Sequence, residues 1–250
     1  MPYYLIDIVS PKTQFSLLKY QKLAYKAIDN ILARGKLPII VGGTGLYLQA
    51  IVDGYELSKV KPDKKLREKL EKLDADELFK KLQGLNKKFA GRLNKSEKKN
   101  KRRLIRYIEI CKPKNSECLA EHSVSGAKYD FLLIGLIWPK EILRERIYKR
   151  LVERLEKEDM IKEVENLHKK QKVSWKRLKN FGLEYKYVAL YLRKKLVYNE
   201  MVEKLNIAIR QFAKRQMSWF RRWERQGIKI CWVKDRREAE GVVRKFLKRK

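Results

Sequence analysis

Val41-Gly42-Gly43-Thr44-Gly45 is the first stretch of this sequence able to hold a ligand. Glycines there let a backbone approach a bound group closely, and the free N–H groups of a helix start attract an anion. The stretch lacks the Gly-Lys-Ser/Thr ending of a phosphate-binding P-loop, so a Walker A reading fails. A ligand cradle and a plain strand-to-helix turn both stay open. Lys101-Arg102-Arg103-Leu104-Ile105-Arg106 is a second candidate. On a helix Arg102 and Arg106 share a face while Leu104, Ile105 and Ile108 turn toward the packing, which separates a phosphate-contacting side from a buried one. A solvated basic helix has the same pattern. Arg146 and Arg150, four apart, are able to clamp a pyrophosphate bidentately, although they are two of 62 cations. The richest segment is 201–226, where Arg210, Lys214, Arg221 and Arg225 recur beside Arg215 and Arg222. The aromatics Trp219, Phe220 and Trp223 accompany them, with Trp223 favoured as core. Cations that neutralise phosphates, next to planes that stack unpaired bases, suit RNA.

These residues need elements to hold them. Leu17, Tyr20, Leu23, Ala27, Ile28 and Ile31 repeat at helical spacing after Ser16, a suitable N-cap. Pro38–Val41 then reads as a strand buried on both faces of a parallel sheet, and Leu46–Val52 as the next helix. Phe131–Trp138 reads as a second buried strand followed by a helix opened by Pro139, and Ile228–Val233 as a third, terminal strand. Residues 59–127 carry only helical, charged patterning. The reading is an α/β core, 1–58 and 128–250, with a helical insertion at 59–127. Gly227 falls where a left-handed cap would close the 201–226 helix.

With 62 Lys plus Arg against 30 Asp plus Glu, the formal charge is +32, so the default partner is nucleic acid. The excess is +3 over residues 1–60, +10 over 61–130 and +19 over 131–250. A hydrophobic content of 44% excludes a disordered basic tail. No secretory start or membrane-length apolar run is visible, which points to the cytoplasm and to no membrane partner. Cys111, Cys118 and His122 match no zinc ligand spacing, so no metal site is assigned and the cysteines read as reduced thiols. His122 and His168 read as surface packing.

Several blocks, in order, resemble the tRNA dimethylallyltransferase family. They are Pro2-Tyr3-Tyr4-Leu5-Ile6-Asp7, Gly35-Lys36-Leu37-Pro38 running into Val41–Tyr47, and Leu66-Arg67. Arg103-Leu104-Ile105-Arg106 with Glu109 follows, then Arg210-Gln211 through Ala213–Gln216 and Trp219 with Arg222-Trp223. The resemblance spans essentially the whole chain. It implies a P-loop-NTPase-like parallel sheet core whose helical insertion grips a tRNA anticodon stem-loop. It implies that a flipped adenine attacks C1 of dimethylallyl diphosphate, with Mg²⁺ on the diphosphate, in a monomeric enzyme. Carried over by position, Thr44, Arg67, Arg102, Arg103, Arg106, Lys179, Asn180, Phe181, Gly182, Lys214, Arg215, Gln216, Trp219 and Arg221 fall on tRNA-contacting segments. Thr44, Arg146, Arg150 and Arg210 fall on the catalytic channel.

Some positions depart from the family pattern. No Gly-Lys-Ser/Thr occurs, Tyr3-Tyr4 stands for a His pair, Ile209 for a Thr, and Gly182-Leu183-Glu184 for Gly-Tyr-Arg. The leading expectation is a dimethylallyltransferase chain lacking the first strand and P-loop. The alternatives are an inactive RNA-binding protein that keeps the tRNA grip and, less favoured, an unrelated basic α/β phosphotransferase.

Overall fold

The structure is a computed structural model that describes residues 2–55, 57–58, 60–112 and 128–248. The expectations for Cys118 and His122 lie outside these residues. Two compact units are present, one of residues 1–16, 27–48 and 130–250, the other of residues 17–26 and 49–129. Helices α1 (Leu17–Ala33) and α2 (Gly45–Val52) contribute to both.

The second unit is helical because its charged sequence supplies a cap at each start. Asp63, Asp74, Asn86, Asn94 and Asn100 each accept a hydrogen bond from a backbone N–H three residues on. They open α3 (Lys64–Leu70), α4 (Ala75–Leu85), α5 (Lys87–Arg92), α6 (Lys95–Lys98) and α7 (Lys101–Cys111). Each such cap is worth about 1 kcal/mol, which matters for helices this short. Leu70, Leu78, Leu82, Phe89, Leu104, Ile105 and Ile108 form the core, with Phe89 edge-on to Tyr107 at 5.0 Å. Gln21 of α1 is buried and donates from Nε2 to the Ala50 and Tyr55 carbonyls at 2.7 and 2.8 Å, which satisfies the end of α2. On α1 the buried positions are Gln21, Ala24 and Ile28, whereas Leu23 is exposed.

The first unit holds β1 (Ile134–Leu136), α8 (Lys140–Glu156), α9 (Met160–Lys169), α10 (Trp175–Phe181), α11 (Leu183–Leu192), α12 (Tyr198–Arg225), β2 (Cys231–Val233) and α13 (Arg236–Leu247). Strands β1 and β2 pair in parallel with Gly135 opposite Trp232. Leu151, Leu155, Met160, Val164, Leu178, Val188, Met201 and Leu205 are the core beneath α8–α12. Gly227, at φ 89°, closes α12 as expected.

Three sequence expectations need correction. Residues 38–41 form no strand, and Val41 is 88% exposed. The second strand shrinks to three residues, with Leu136 65% exposed rather than buried. Apolar runs become buried parallel strands only where neighbours pair with them and helices cover both faces, and among the described residues the sheet has two strands. The strand at 231–233 is not terminal, because α13 follows it. The described fold is therefore mostly helical with a small parallel sheet. Cys111 is disulfide-bonded while Cys231 is free, so the expectation of a reduced thiol holds for Cys231 and not for Cys111. Bonding depends on Cβ approach in space, which cysteine counts do not encode. His168 packs as expected, stacked on Trp175 at 3.8 Å with Nδ1 2.9 Å from the Val173 carbonyl.

Candidate nucleic-acid interface

Thr44 precedes α2, and its carbonyl accepts the Tyr47 and Leu48 N–H groups at 2.9 and 3.2 Å. The glycines around it are required by close packing against α12. A Cβ on Gly43 would lie 2.6 Å from Gln216 Nε2, and one on Gly45 would collide with the Trp219 indole. Thr44 is thus flanked by two glycines that press on Gln216 and Trp219, candidate residues distant from it in sequence. The Trp219 ring also carries the Arg222 guanidinium at 5.1 Å. On α12 the side chains of Arg210, Lys214, Arg215 and Arg221 are exposed, and among the described residues none has a carboxylate partner. Arg215 lies 5.9 Å from the Phe212 ring. A ridge of unneutralised cations beside a half-buried indole is what single-stranded RNA engages.

In the helical unit, Arg67 and Arg106 converge on one carboxylate. Glu109 is buried and accepts Arg67 Nε and Nη2 at 2.7 and 2.8 Å and Arg106 Nη1 at 3.3 Å. Burial pushes the Glu109 carboxyl up, but the Arg67 hydrogen bonds, the Asp63 N–H, the Arg67 charge and Arg106 together hold it below the usual carboxylate range. Arg106 also donates to the Val60 carbonyl at 3.0 Å. Arg102 is exposed, and Arg103 reaches Glu97 at 3.2 Å from an exposed position. The expected division of α7 holds for Leu104, Ile105 and Ile108, but Arg106 is half-buried rather than on the outer face.

Lys179, Asn180 and Phe181 end α10, and Gly182, at φ 83°, joins it to α11. The Phe181 ring lies under the Arg177 guanidinium at 4.9 Å and edge-on to Tyr185 at 5.4 Å. Glu184, an anion where the family pattern has an arginine, is bound by Arg154 Nη1 at 2.8 Å. Its charge is neutralised within the protein rather than presented to RNA. Arg146 and Arg150 lie exposed on α8, Arg146 stacked on Trp138 at 4.3 Å. Among the described residues no hydrogen bond, ion pair or ring contact links Arg146, Arg150 and Arg210.

Sequence reading assigned no role to Glu109 beyond its place in a motif, and it passed over Arg177. Arg177 donates to the Pro11 and Thr13 carbonyls at 3.0 and 2.6 Å, fastening the first residues to α10. A contact across more than 160 residues leaves no local signal. As for Mg²⁺, no three His, Cys, Asp or Glu side chains converge among the described residues. Glu109 and Glu97, the carboxylates paired with candidate arginines, are already bonded to Arg67, Arg106 and Arg103. The donor set described here does not fit the ion, and no chemistry below is routed through it.

The described fold is basic and helix-rich with a small parallel sheet, and it carries exposed arginines on several helices. The IPP transferase family profile matches residues 1–223. The chain is 43% identical over 234 residues to tRNA dimethylallyltransferase 1 of Syntrophus aciditrophicus, covering 93% of this chain and 74% of that protein. It is 44% identical over 236 residues to tRNA dimethylallyltransferase 2 of Treponema denticola, covering 93% and 78%. A crystal structure of a tRNA isopentenylpyrophosphate transferase from Staphylococcus epidermidis is similar at TM-score 0.65 and 28% identity, covering 100% of this chain and 82% of that one. A eukaryotic dimethylallyltransferase described as acting on tRNA is similar at TM-score 0.74 and 25% identity, covering 94% and 61%. The chain belongs to the IPP transferase family.

Proposed function

We propose that the chain acts in tRNA modification. It transfers a dimethylallyl group from dimethylallyl diphosphate to the exocyclic amine of the adenosine 3′ of the anticodon. Membership of a family whose relatives, alike over nine-tenths of this chain, are named tRNA dimethylallyltransferases carries the reading. The unneutralised ridge Arg210–Arg221, next to Trp219 and Thr44, supports RNA as the partner. An inactive RNA-binding role is not favoured.

In the reaction the amine nitrogen forms a bond to C1, the C1–O bond breaks, the diphosphate leaves with the bonding pair, and the new ammonium loses a proton. Charge accumulates on the leaving group, so cations aimed there do most of the catalytic work. Arg146, Arg150 and Arg210 are assigned to that task, and Thr44 to the channel mouth. Residues 59–127 act as the insertion that grips the stem-loop, with Arg67, Arg102, Arg103 and Arg106. Residues 1–58 and 128–250 form the core of a cytoplasmic monomer.

A P-loop-type sheet core is the finer part of this reading. It is supported by apolar side chains left uncovered, Ile39 at 62%, Val41 at 88% and Leu136 at 65%, of the kind a larger covered sheet would bury. The test is transfer of labelled dimethylallyl diphosphate to tRNA with Mg²⁺, with and without a P-loop-bearing segment of a relative added in trans. Turnover only with the segment is expected. Turnover by the 250 residues alone would overturn the P-loop part of the reading. No turnover in either arm would overturn the transferase assignment.

A further inference from the structure

A cleft between α8 and α12 runs against the charge of the chain, in which 62 Lys and Arg outnumber 30 Asp and Glu. Its volume is about 370 Å³, and it lies within one compact unit. Tyr148 and Glu156 line it from α8, and Tyr198, Asn199, Glu203 and Asn206 from α12. No lysine or arginine lines it. Glu156 and Glu203 have no cation partner among the described residues, whereas the neighbouring Glu200 is paired with Lys204. Leu151, Leu155, Met201 and Leu205 are buried in the core beneath, which fixes both walls. At about 100° per residue, the face of α8 holding Tyr148, Val152 and Glu156 is turned about 140° from that of Arg146 and Arg150. Arg210 stands one turn beyond Asn206 and does not line the cleft.

The lining has the chemistry of a site for an organic cation. Asn206 Oδ1 is buried with no hydrogen-bond donor among the described residues, an acceptor that an incoming N–H would satisfy. Tyr148 is 50% exposed and Tyr198 37%, with Tyr191 edge-on to Tyr198 at 5.9 Å. Burial and then the Glu156 charge push the Tyr198 hydroxyl up, the second of which marks negative potential around that ring. Aromatic rings and carboxylates attract the same group, an ammonium, by the ring quadrupole and by charge-assisted hydrogen bonds. Val152 and Val202 add apolar lining suited to methylenes. A metal ion fits less well, because no three metal-ligating side chains converge among the described residues.

We propose that this cleft binds a small alkylammonium ion of the polyamine class, with Glu156 and Glu203 taking its ammonium groups and Tyr148 and Tyr198 flanking its chain. The site is independent of the transferase reading, since none of these residues is assigned to the tRNA grip or to the catalytic channel. Its occupation runs opposite to simple electrostatics. A chain of net charge +32 repels small cations at long range, so charge alone predicts no uptake.

The experiment is equilibrium dialysis of labelled spermidine against the 250-residue chain at physiological ionic strength, without RNA. Wild type is compared with the double variant Glu156→Gln/Glu203→Gln and with Tyr198→Leu, each checked for native helicity by circular dichroism. Wild type is expected to take up spermidine at one site. The double variant is expected to lose roughly 3- to 20-fold in affinity, the scale of two exposed charge pairs. Tyr198→Leu is expected to lose roughly 2- to 5-fold, the scale of an exposed cation–π contact. If the double variant fails to fold, Tyr198→Leu decides, because its ring is exposed. No uptake by the wild type overturns the proposal and leaves the transferase reading untouched. Unchanged affinity in the folded double variant, or in Tyr198→Leu where that decides, overturns it as well. Two competition arms identify the ligand class. Spermidine retained against equimolar magnesium chloride and against a short lysine peptide supports the polyamine site. Displacement by magnesium overturns it in favour of a divalent ion, and displacement by the peptide in favour of a basic protein partner.

Discussion

Arg103 and Arg106 stand three positions apart on α7 and differ in what holds them. Arg103 meets Glu97 on an exposed surface, and such pairs contribute about 0–1 kcal/mol. Arg106 is half-buried between Glu109 and the Val60 carbonyl, where removal leaves a buried acceptor short of a partner, at about 1–3 kcal/mol. Arg103→Ala should therefore weaken stem-loop binding with little change in thermal midpoint, while Arg106→Ala should lower both. Equal midpoints for the two variants would contradict this assignment. Glu109 also makes the unit acid-sensitive. In the unfolded chain a glutamate takes up its proton near pH 4.3, and in the folded protein it resists to lower pH. The unfolded state binds more protons in that interval, so the stabilisation is present above about pH 4.3 and is lost as pH falls through the depressed folded value. Thermal melts from pH 6 to pH 3 should show the gap between wild type and Glu109→Gln narrowing with acid. The arginines were legible in the sequence as repeated cations, and Glu109 as a motif neighbour. What was not legible was that one carboxylate joins two of them, because that pairing spans 42 residues and depends on how α3 meets α7.

At the scale of elements, the Gly42–Gly45 turn shows how a helix can dictate a distant loop. Gly43 faces the flexible end of Gln216, which can move aside, whereas Gly45 faces a rigid indole. Gly45→Ala should cost about 1–3 kcal/mol by overpacking, and Gly43→Ala much less. Combining Gly45→Ala with Trp219→Ala should recover part of the loss, which a double-mutant cycle of thermal midpoints would reveal. Strict additivity would mean that the two residues do not press on each other. Helices were the readable part of this fold: α1, α2 and α12 lie within one to three residues of their sequence-based limits, since apolar period and caps are local. Strands were the unreadable part. The run 38–41 has the composition of a buried strand, yet composition cannot supply the neighbour that a strand requires.

At the scale of the whole molecule, the +32 charge sets the character of binding. If the ridge on α12 and the arginines Arg102, Arg103 and Arg106 neutralise ~5 phosphates, log K should fall against log salt with a slope near −4, at ~0.7–0.9 per phosphate. A flat response would remove the electrostatic basis of the interface. The same charge has a second consequence, through the uncovered apolar residues Ile39, Val41 and Leu136. Copies of the chain carry adhesive spots, and at low ionic strength mutual repulsion keeps those spots from meeting. Added salt shortens the reach of that repulsion to about 8 Å at physiological strength while leaving apolar attraction intact. Colloidal behaviour should thus invert the usual salting-in: clear solutions in dilute buffer, rising light scattering as sodium chloride is added, and clearing again when a short RNA coats the basic surface.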